Sequence, residues 1–120
     1  TVDDRKLYVI GGFTEEEEVS RRVDILDPTT GTWSQGPELP GEPINGFAPA
    51  ACTIGGLVHV SVADGSVHRL AADGSRWEPV ASVVPRIVHR AVADGDGHMV
   101  LLGGAANAEN LDLVERVPVR

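Results

Sequence analysis

Cysteine, lysine, aromatic residues and helix-forming runs are all scarce in this chain. A single cysteine, Cys52, excludes an internal disulfide and any zinc site built on several thiolates. Lys6 is the only lysine, and 10 basic residues stand against 18 acidic ones, for a formal net charge of −8. Nucleic-acid binders concentrate Lys and Arg on one face, so this balance argues against phosphate recognition as the main role. Gly, Asp, His or Arg breaks every apolar run within about ten residues, short of the ~20 that a membrane-spanning helix needs. The opening Thr1-Val2-Asp3-Asp4-Arg5-Lys6 has no basic start followed by an apolar core, so it does not read as a secretory signal. It also lacks an initiator Met, and the expectation is a segment of something longer, with the compartment left open. Finally, 14 Gly and 8 Pro recur so often that no long window keeps apolar spacing at i, i+3, i+4 and i+7.

What is present is strand and turn chemistry. The 120 residues are 42% hydrophobic, a length and composition that can bury roughly two thirds of the unfolded surface and that argue against disorder. Leu7-Tyr8-Val9-Ile10 runs into Gly11-Gly12, Val23-Asp24-Ile25-Leu26 meets Asp27-Pro28, and Thr32-Trp33-Ser34 precedes Gly36-Pro37. Further strands are predicted over 47–54, 57–63, 66–71, 76–80, 88–93, 99–102 and 111–117. The turns between them include Gly55-Gly56, Asp64-Gly65, Asp73-Gly74 and 94–97, and Asp-Gly reads as a two-residue hairpin turn. The prediction is all-β, with ten strands in antiparallel succession.

The strands repeat. Leu7 to Gly12 aligns with Met99 to Gly104 at a separation of 92 residues, and Leu57 to Val62 fills the same slot between them without the glycines. Leu26 stands seven residues before Trp33, as Leu70 does before Trp77, and the two tryptophans are 44 apart. A period of about 40–50 residues per four-stranded unit is the spacing of propeller blades.

An apolar strand ending in Gly-Gly, a second strand ending before Asp-Pro, a Trp about seven residues on and a Pro-rich link together resemble the kelch repeat. Residues 7–40 carry the pattern best, with Leu26 where that repeat usually has Tyr. The second repeat keeps Trp77 and has Arg86 at the next link, where kelch repeats often place an arginine. The third keeps Gly103-Gly104. The resemblance implies a kelch-type β-propeller segment of about two and a half four-stranded blades, with blade 1 partial over 1–40, blade 2 over 41–84 and blade 3 partial over 85–120. Partitioned as three, four and three strands, the first blade is expected to lack its innermost strand and the last its outermost. The uncovered inter-blade faces would then need remaining blades or another chain to cover them.

The marker residues read as structural. Gly11, Gly12, Gly103 and Gly104 are expected to let strands leave the blade through positive φ or close backbone approach. Trp33 and Trp77 are expected to pack between neighbouring blades. With Gly11-Gly12 ending the second strand of a blade, one rim is predicted to carry the long segments 13–22, 37–46, 79–87 and 105–110, and the other only tight turns. Long loops gathered on one face of a rigid scaffold are where binding residues usually sit. The candidate binding residues there are Glu16, Glu17, Arg22, Asn45, Arg86 and Asn107.

The remaining chemistry is sparse. Glu15-Glu16-Glu17-Glu18 followed by Arg21-Arg22 reads as a solvated loop with mutual charge compensation. The sharper alternative is an acidic lip for a basic peptide or a divalent cation, although consecutive glutamates do not supply the alternating oxygens and glycine of a calcium loop. A two-residue turn at Asp64-Gly65 would put His59 and His68 on one face as a diagonal pair, too few ligands for a metal. His89 and His98 match no ligand spacing. Cys52 lies in an apolar strand, where burial makes a thiol inert, and no nucleophile–base pair is evident. A copper-radical oxidase site would need Cys near Tyr with His ligands, and the sialidase Asp-to-Trp spacing fails at both Trp33 and Trp77. The reading is a non-enzymatic binding or scaffold module for a protein or a small carbohydrate-like ligand, with neither cofactor nor metal. The rival is part of a propeller enzyme, a sugar oxidase or sialic-acid epimerase-like protein, with its catalytic residues outside this segment. The Ala, Val, Gly and Arg richness suggests a bacterial source.

Overall fold

The computed structural model describes residues 1–3 and 5–119; Asp4 and Arg120, which fall within the expected first and last blades, lie outside the described residues. Among the described residues, apart from one turn of 3₁₀ helix at Pro43–Gly46, the regular structure is all strand. The first sheet is β1 (Val2–Asp3), β2 (Lys6–Ile10), β3 (Val23–Asp27) and β4 (Thr32–Gln35), antiparallel and in sequence order. The second is β5 (Ala50–Ile54), β6 (Leu57–Ser61), β7 (Ser66–Leu70) and β8 (Trp77–Ser82), again in sequence order. The third joins β9 (Arg90–Ala93) and β10 (His98–Leu102) to β13 (Val114–Pro118), while β11 (Ala105–Ala106) and β12 (Glu109–Asn110) form a small separate hairpin. These are blades 1 to 3 of a partial propeller.

Blade 1 departs from expectation at its inner edge. The sequence predicts no innermost strand there, yet Val2 and Asp3 pair with Leu7 and Lys6. Two residues are too short to show alternation, so pattern reading passes over them. The predicted strand over 47–54 starts only at Ala50, because Pro43 begins the 3₁₀ turn and delays the ladder.

The β6–β7 turn corrects the register. Gly65 N donates to Val62 O at 3.1 Å and Val62 N to Ser66 O at 3.1 Å, so the loop is Ala63-Asp64-Gly65. Gly65 has φ 89, a three-residue loop with glycine in the left-handed position rather than a two-residue turn. The extra residue shifts the ladder by one: His59 pairs with Arg69 and Val60 with His68. A one-residue slip reverses every side chain, so His59 and His68 occupy opposite faces instead of sharing one. The shift also moves the repeat register: Ser61 pairs with Val67 as Ile10 pairs with Val23, which places Val62-Ala63, not Ser61-Val62, in the slot of Gly11-Gly12.

Both faces of blade 2 are covered. Towards blade 1, Val58, Val60, Val62, Leu70 and Trp77 pack with Tyr8, Val23 and Leu39, and Ile10 and Ile25 pack at the margin. Towards blade 3, Cys52 and Val67 pack with Met99, Leu101 and Val119. Trp77 Nε1 donates to Pro37 O at 2.8 Å, so its one polar atom is satisfied across the blade junction.

Among the described residues no blade lies against Trp33. It is 59% exposed on β4, because the face it shares with Leu26 points away from blade 2. Truncating Trp77 to Ala is expected to cost ~3–5 kcal/mol, by transfer and cavity terms together. Trp33→Ala is expected to cost under about 1 kcal/mol, as a surface substitution. Urea denaturation of the two variants checks both, and equal costs would overturn this assignment of faces.

Candidate functional site

Strand direction gathers the longer connections on one rim. Gly12 N donates to Gly46 O and Leu39 N to Arg21 O, each at 2.9 Å, tying the β2–β3 loop to the β4–β5 link. Val83 N donates to Gly65 O at 2.8 Å, and Ile87 and Ala105 form a reciprocal bridge, so the next link and the β10–β11 connection join the same rim. Gly11, Gly12, Gly103 and Gly104 all have positive φ. Gly104 is the tightest approach in this last seam: a Cβ there would come within 2.7 Å of Ile87 O and 2.9 Å of the His89 Cβ.

The candidate residues divide by depth. Glu16 lies at the exposed lip, and Glu17, with φ 62, sits in the tight turn closed by Thr14 N donating to Glu18 O at 2.8 Å. Arg22 is exposed and bonds Asp24 at 2.7 Å, while Arg21 donates to Leu39 O at 2.8 Å and to Glu38 at 3.3 Å. The arginines therefore turn to residues outside the acidic run, in place of the mutual compensation that the sequence suggests. Asn107 stands exposed at the tip of the β11–β12 hairpin with φ 50.

Asn45 and Arg86 are buried beneath this surface. Asn45 Nδ2 donates to Pro40 O at 3.0 Å and to Asp64 Oδ2 at 2.9 Å, and Asp64 N donates back to Asn45 Oδ1 at 3.1 Å. Arg86 donates through Nε to Val84 O at 3.1 Å and through Nη1 to Gly103 O at 3.3 Å, and it forms an ion pair with Glu115. These two side chains hold the links against blades 2 and 3. A buried Arg pairs best where its planar fork meets carbonyls and a carboxylate together.

On blade 1, Phe13, Thr14, Glu15, Glu16, Ser20 and Arg22 line a cleft of about 410 Å³. Phe13 meets Phe47 edge to face, with ring centroids 5.5 Å apart and planes at 89°. Nothing in the sequence pairs them: Phe13 opens the predicted loop 13–22, and Phe47 opens the predicted strand over 47–54. The cleft thus combines an aromatic edge with carboxylates and an arginine in one shallow, open site.

Elsewhere the titratable groups are tied into packing. Burial pushes the Cys52 thiol up to about 11, so at neutral pH it is a thiol and a poor nucleophile. Burial, with the hydrogen bond to Asp3, raises Tyr8 to about 12. His59 and His68 are both lowered by burial. His89 is buried and its Nε2 lies 3.0 Å from Ser61 Oγ; burial first, and then Arg86 and Arg90, hold it down at about 4. Among the described residues no group of three or more His, Cys, Asp and Glu could hold a metal ion. Nor is any described helix long and apolar enough to cross a membrane.

The His89 shift sets a pH dependence. Its folded value lies below the ordinary 6.5, so the unfolded chain takes up a proton that the folded chain refuses until about pH 4. Its contribution is complete above about pH 6.5 and is lost as the pH falls towards 4, by up to about 3 kcal/mol at ~1.4 kcal/mol per pH unit. Urea midpoints of the native chain and of His89→Gln across this window check it: the native chain should lose stability steeply, and the variant should show a clearly shallower slope. A native chain with constant stability over that window would overturn the assignment.

No curated protein matches the chain. Residues 1–40 match the family model described as Kelch motif, and the order of β1 to β4 within them supports a kelch-repeat family for this chain through its first blade.

Proposed function

We propose that the chain is a binding module whose long-loop rim engages a protein partner. One observation carries the reading: the loops that differ most between the blades meet on the rim where Asn45 and Arg86 brace the links from below, leaving Phe13, Glu16, Arg22 and Asn107 at the surface. Rigid support beneath variable loops is the usual arrangement for recognition. The net charge of −8 and the run Glu15-Glu16-Glu17-Glu18 favour a partner segment with basic residues, and the Phe13 edge favours an apolar or aromatic neighbour beside them. Charge of this kind acts mainly on association rate and orientation, so binding should weaken with added salt.

Amide shift mapping by NMR tests the proposal with two probes, a decapeptide of alternating Lys and Phe and an oligosaccharide, maltohexaose. Shifts from the peptide confined to residues 13–22, 37–46 and 105–110, with at least tenfold weaker binding in the double variant Glu15→Lys and Glu16→Lys, are the expected result. Rim shifts from the sugar alone would replace the protein partner with a small carbohydrate-like ligand. Peptide shifts scattered over the blades, or none, would overturn binding at this rim.

A further inference from the structure

Asn45 stands in the only Asn-Gly pair of the chain; Asn107 precedes Ala and Asn110 precedes Leu. An asparagine before glycine is the one most prone to lose its amide, because no β-carbon shields the backbone nitrogen that follows. Packing demands both members here. A Cβ on Gly46 would strike Ser20 O and lie 2.5 Å from Ser20 C, backbone atoms that cannot step aside, so no other residue fits. Asn45 is 1% exposed and uses both amide hydrogens, on Pro40 O at 3.0 Å and on Asp64 Oδ2 at 2.9 Å, while its Oδ1 accepts from Asp64 N. Gly41 leaves room for that amide, since a Cβ there would strike Asn45 Nδ2. The fold thus builds its most labile dipeptide into the seam between blades 1 and 2 and clamps it there.

We propose that Asn45 is a deamidation site gated by the first inter-blade link, the segment between β4 and β5. In the step, Gly46 N attacks Asn45 Cγ: the N–Cγ bond forms, the Cγ–Nδ2 bond breaks, and ammonia leaves with the proton of Gly46 N. The resulting succinimide takes up one water from solvent and opens to aspartate or isoaspartate, with nothing oxidised or reduced. While the clamp is closed, the side chain is pinned on a 3₁₀ turn in which Asn45 N donates to Glu42 O at 3.0 Å and Phe47 N to Ile44 O at 2.9 Å, and burial keeps water out. Local opening of the link frees it. The product cannot reseat. A carboxylate only accepts hydrogen bonds, so it would face Pro40 O and the Asp64 carboxylate with no proton to offer either. Isoaspartate also adds a backbone carbon beside Gly46, whose O accepts from Gly12 N at 2.9 Å to tie the link to the β2–β3 loop. The reaction is a one-way latch: opening of the link starts it, and its product keeps the link open.

Peptide mapping by mass spectrometry, on the chain aged in neutral buffer at body temperature, tests the gate, with Asn107 and Asn110 as internal references. Asn45 is expected to deamidate at least tenfold more slowly than in the same chain unfolded in urea. Asp64→Ala, which removes one side of the clamp, is expected to speed Asn45 at least tenfold and to leave Asn107 unchanged. Should Asp64→Ala unfold, the native chain in urea below its midpoint replaces it: a rate that climbs less steeply with urea than global unfolding does marks local opening. Asn45→Asp tests the latch. Its expected signature is a lower melting temperature and faster protease cleavage within 37–46, and Asp64→Asn in the same chain should restore part of the loss by giving the new carboxylate a donor. Deamidation as fast in the native chain as in urea, a rate indifferent to Asp64→Ala, or one that follows global unfolding alone would overturn the gate. An Asn45→Asp chain as stable as the native, or one that Asp64→Asn does nothing to restore, would overturn the latch.

Discussion

Every blade here is apolar on both faces, and a sheet built that way must be covered twice. Blade 2 meets the requirement within the chain, with Val58, Val60 and Leu70 under blade 1 and Cys52 and Val67 under blade 3. Side chains alternate between faces along a strand, so the same residues that build the ladder also build the two inter-blade cores. The junctions then fix where the links must run. Trp77 reaches Pro37 O across the first junction, and Leu39, in that same link, fills the core beside it. The rim is thus a consequence of blade packing, since the loops open where the stacked strands end.

The buried polar groups follow from the same geometry. A link that crosses between blades carries backbone groups into a dry seam, where each must find a partner. Asn45 donates to Pro40 O in its own link and both donates to and accepts from Asp64 of the β6–β7 loop, and Arg86 gathers Val84 O, Gly103 O and Glu115 at the second. Residues that look like surface chemistry in a loop sequence are in this way drawn beneath the surface. Phe13 and its acidic neighbours stay outside, at the lip of the blade 1 cleft.

Much of the architecture was legible because it depends on local chemistry. Gly-Gly after an apolar strand, Asp-Pro after the next and a Trp seven residues on mark the blade order, and residues 1–40 match the Kelch motif. Turn length was less legible: Asp64-Gly65 looks like a two-residue turn, yet Ala63 belongs to the loop, and that one residue sends His59 and His68 to opposite faces. The short strand β1 was missed because two residues carry no periodicity. The site was legible only as a rim. Which of its residues sink, as Asn45 and Arg86 do, and which pairs meet, as Phe13 and Phe47 do, depends on partners far away in sequence.

Sequence alone determined the fold class, the blade period and the rim that carries the long loops, since glycines, prolines and strand alternation act within a few residues of themselves. Tertiary structure alone decided the fates of Trp33 and Trp77. Both occupy the same place in the repeat, opposite Leu26 and Leu70, but Trp77 has a blade beneath it and Trp33 has none within the described residues. Burial is a property of what lies across a face, and a repeat motif records only the face.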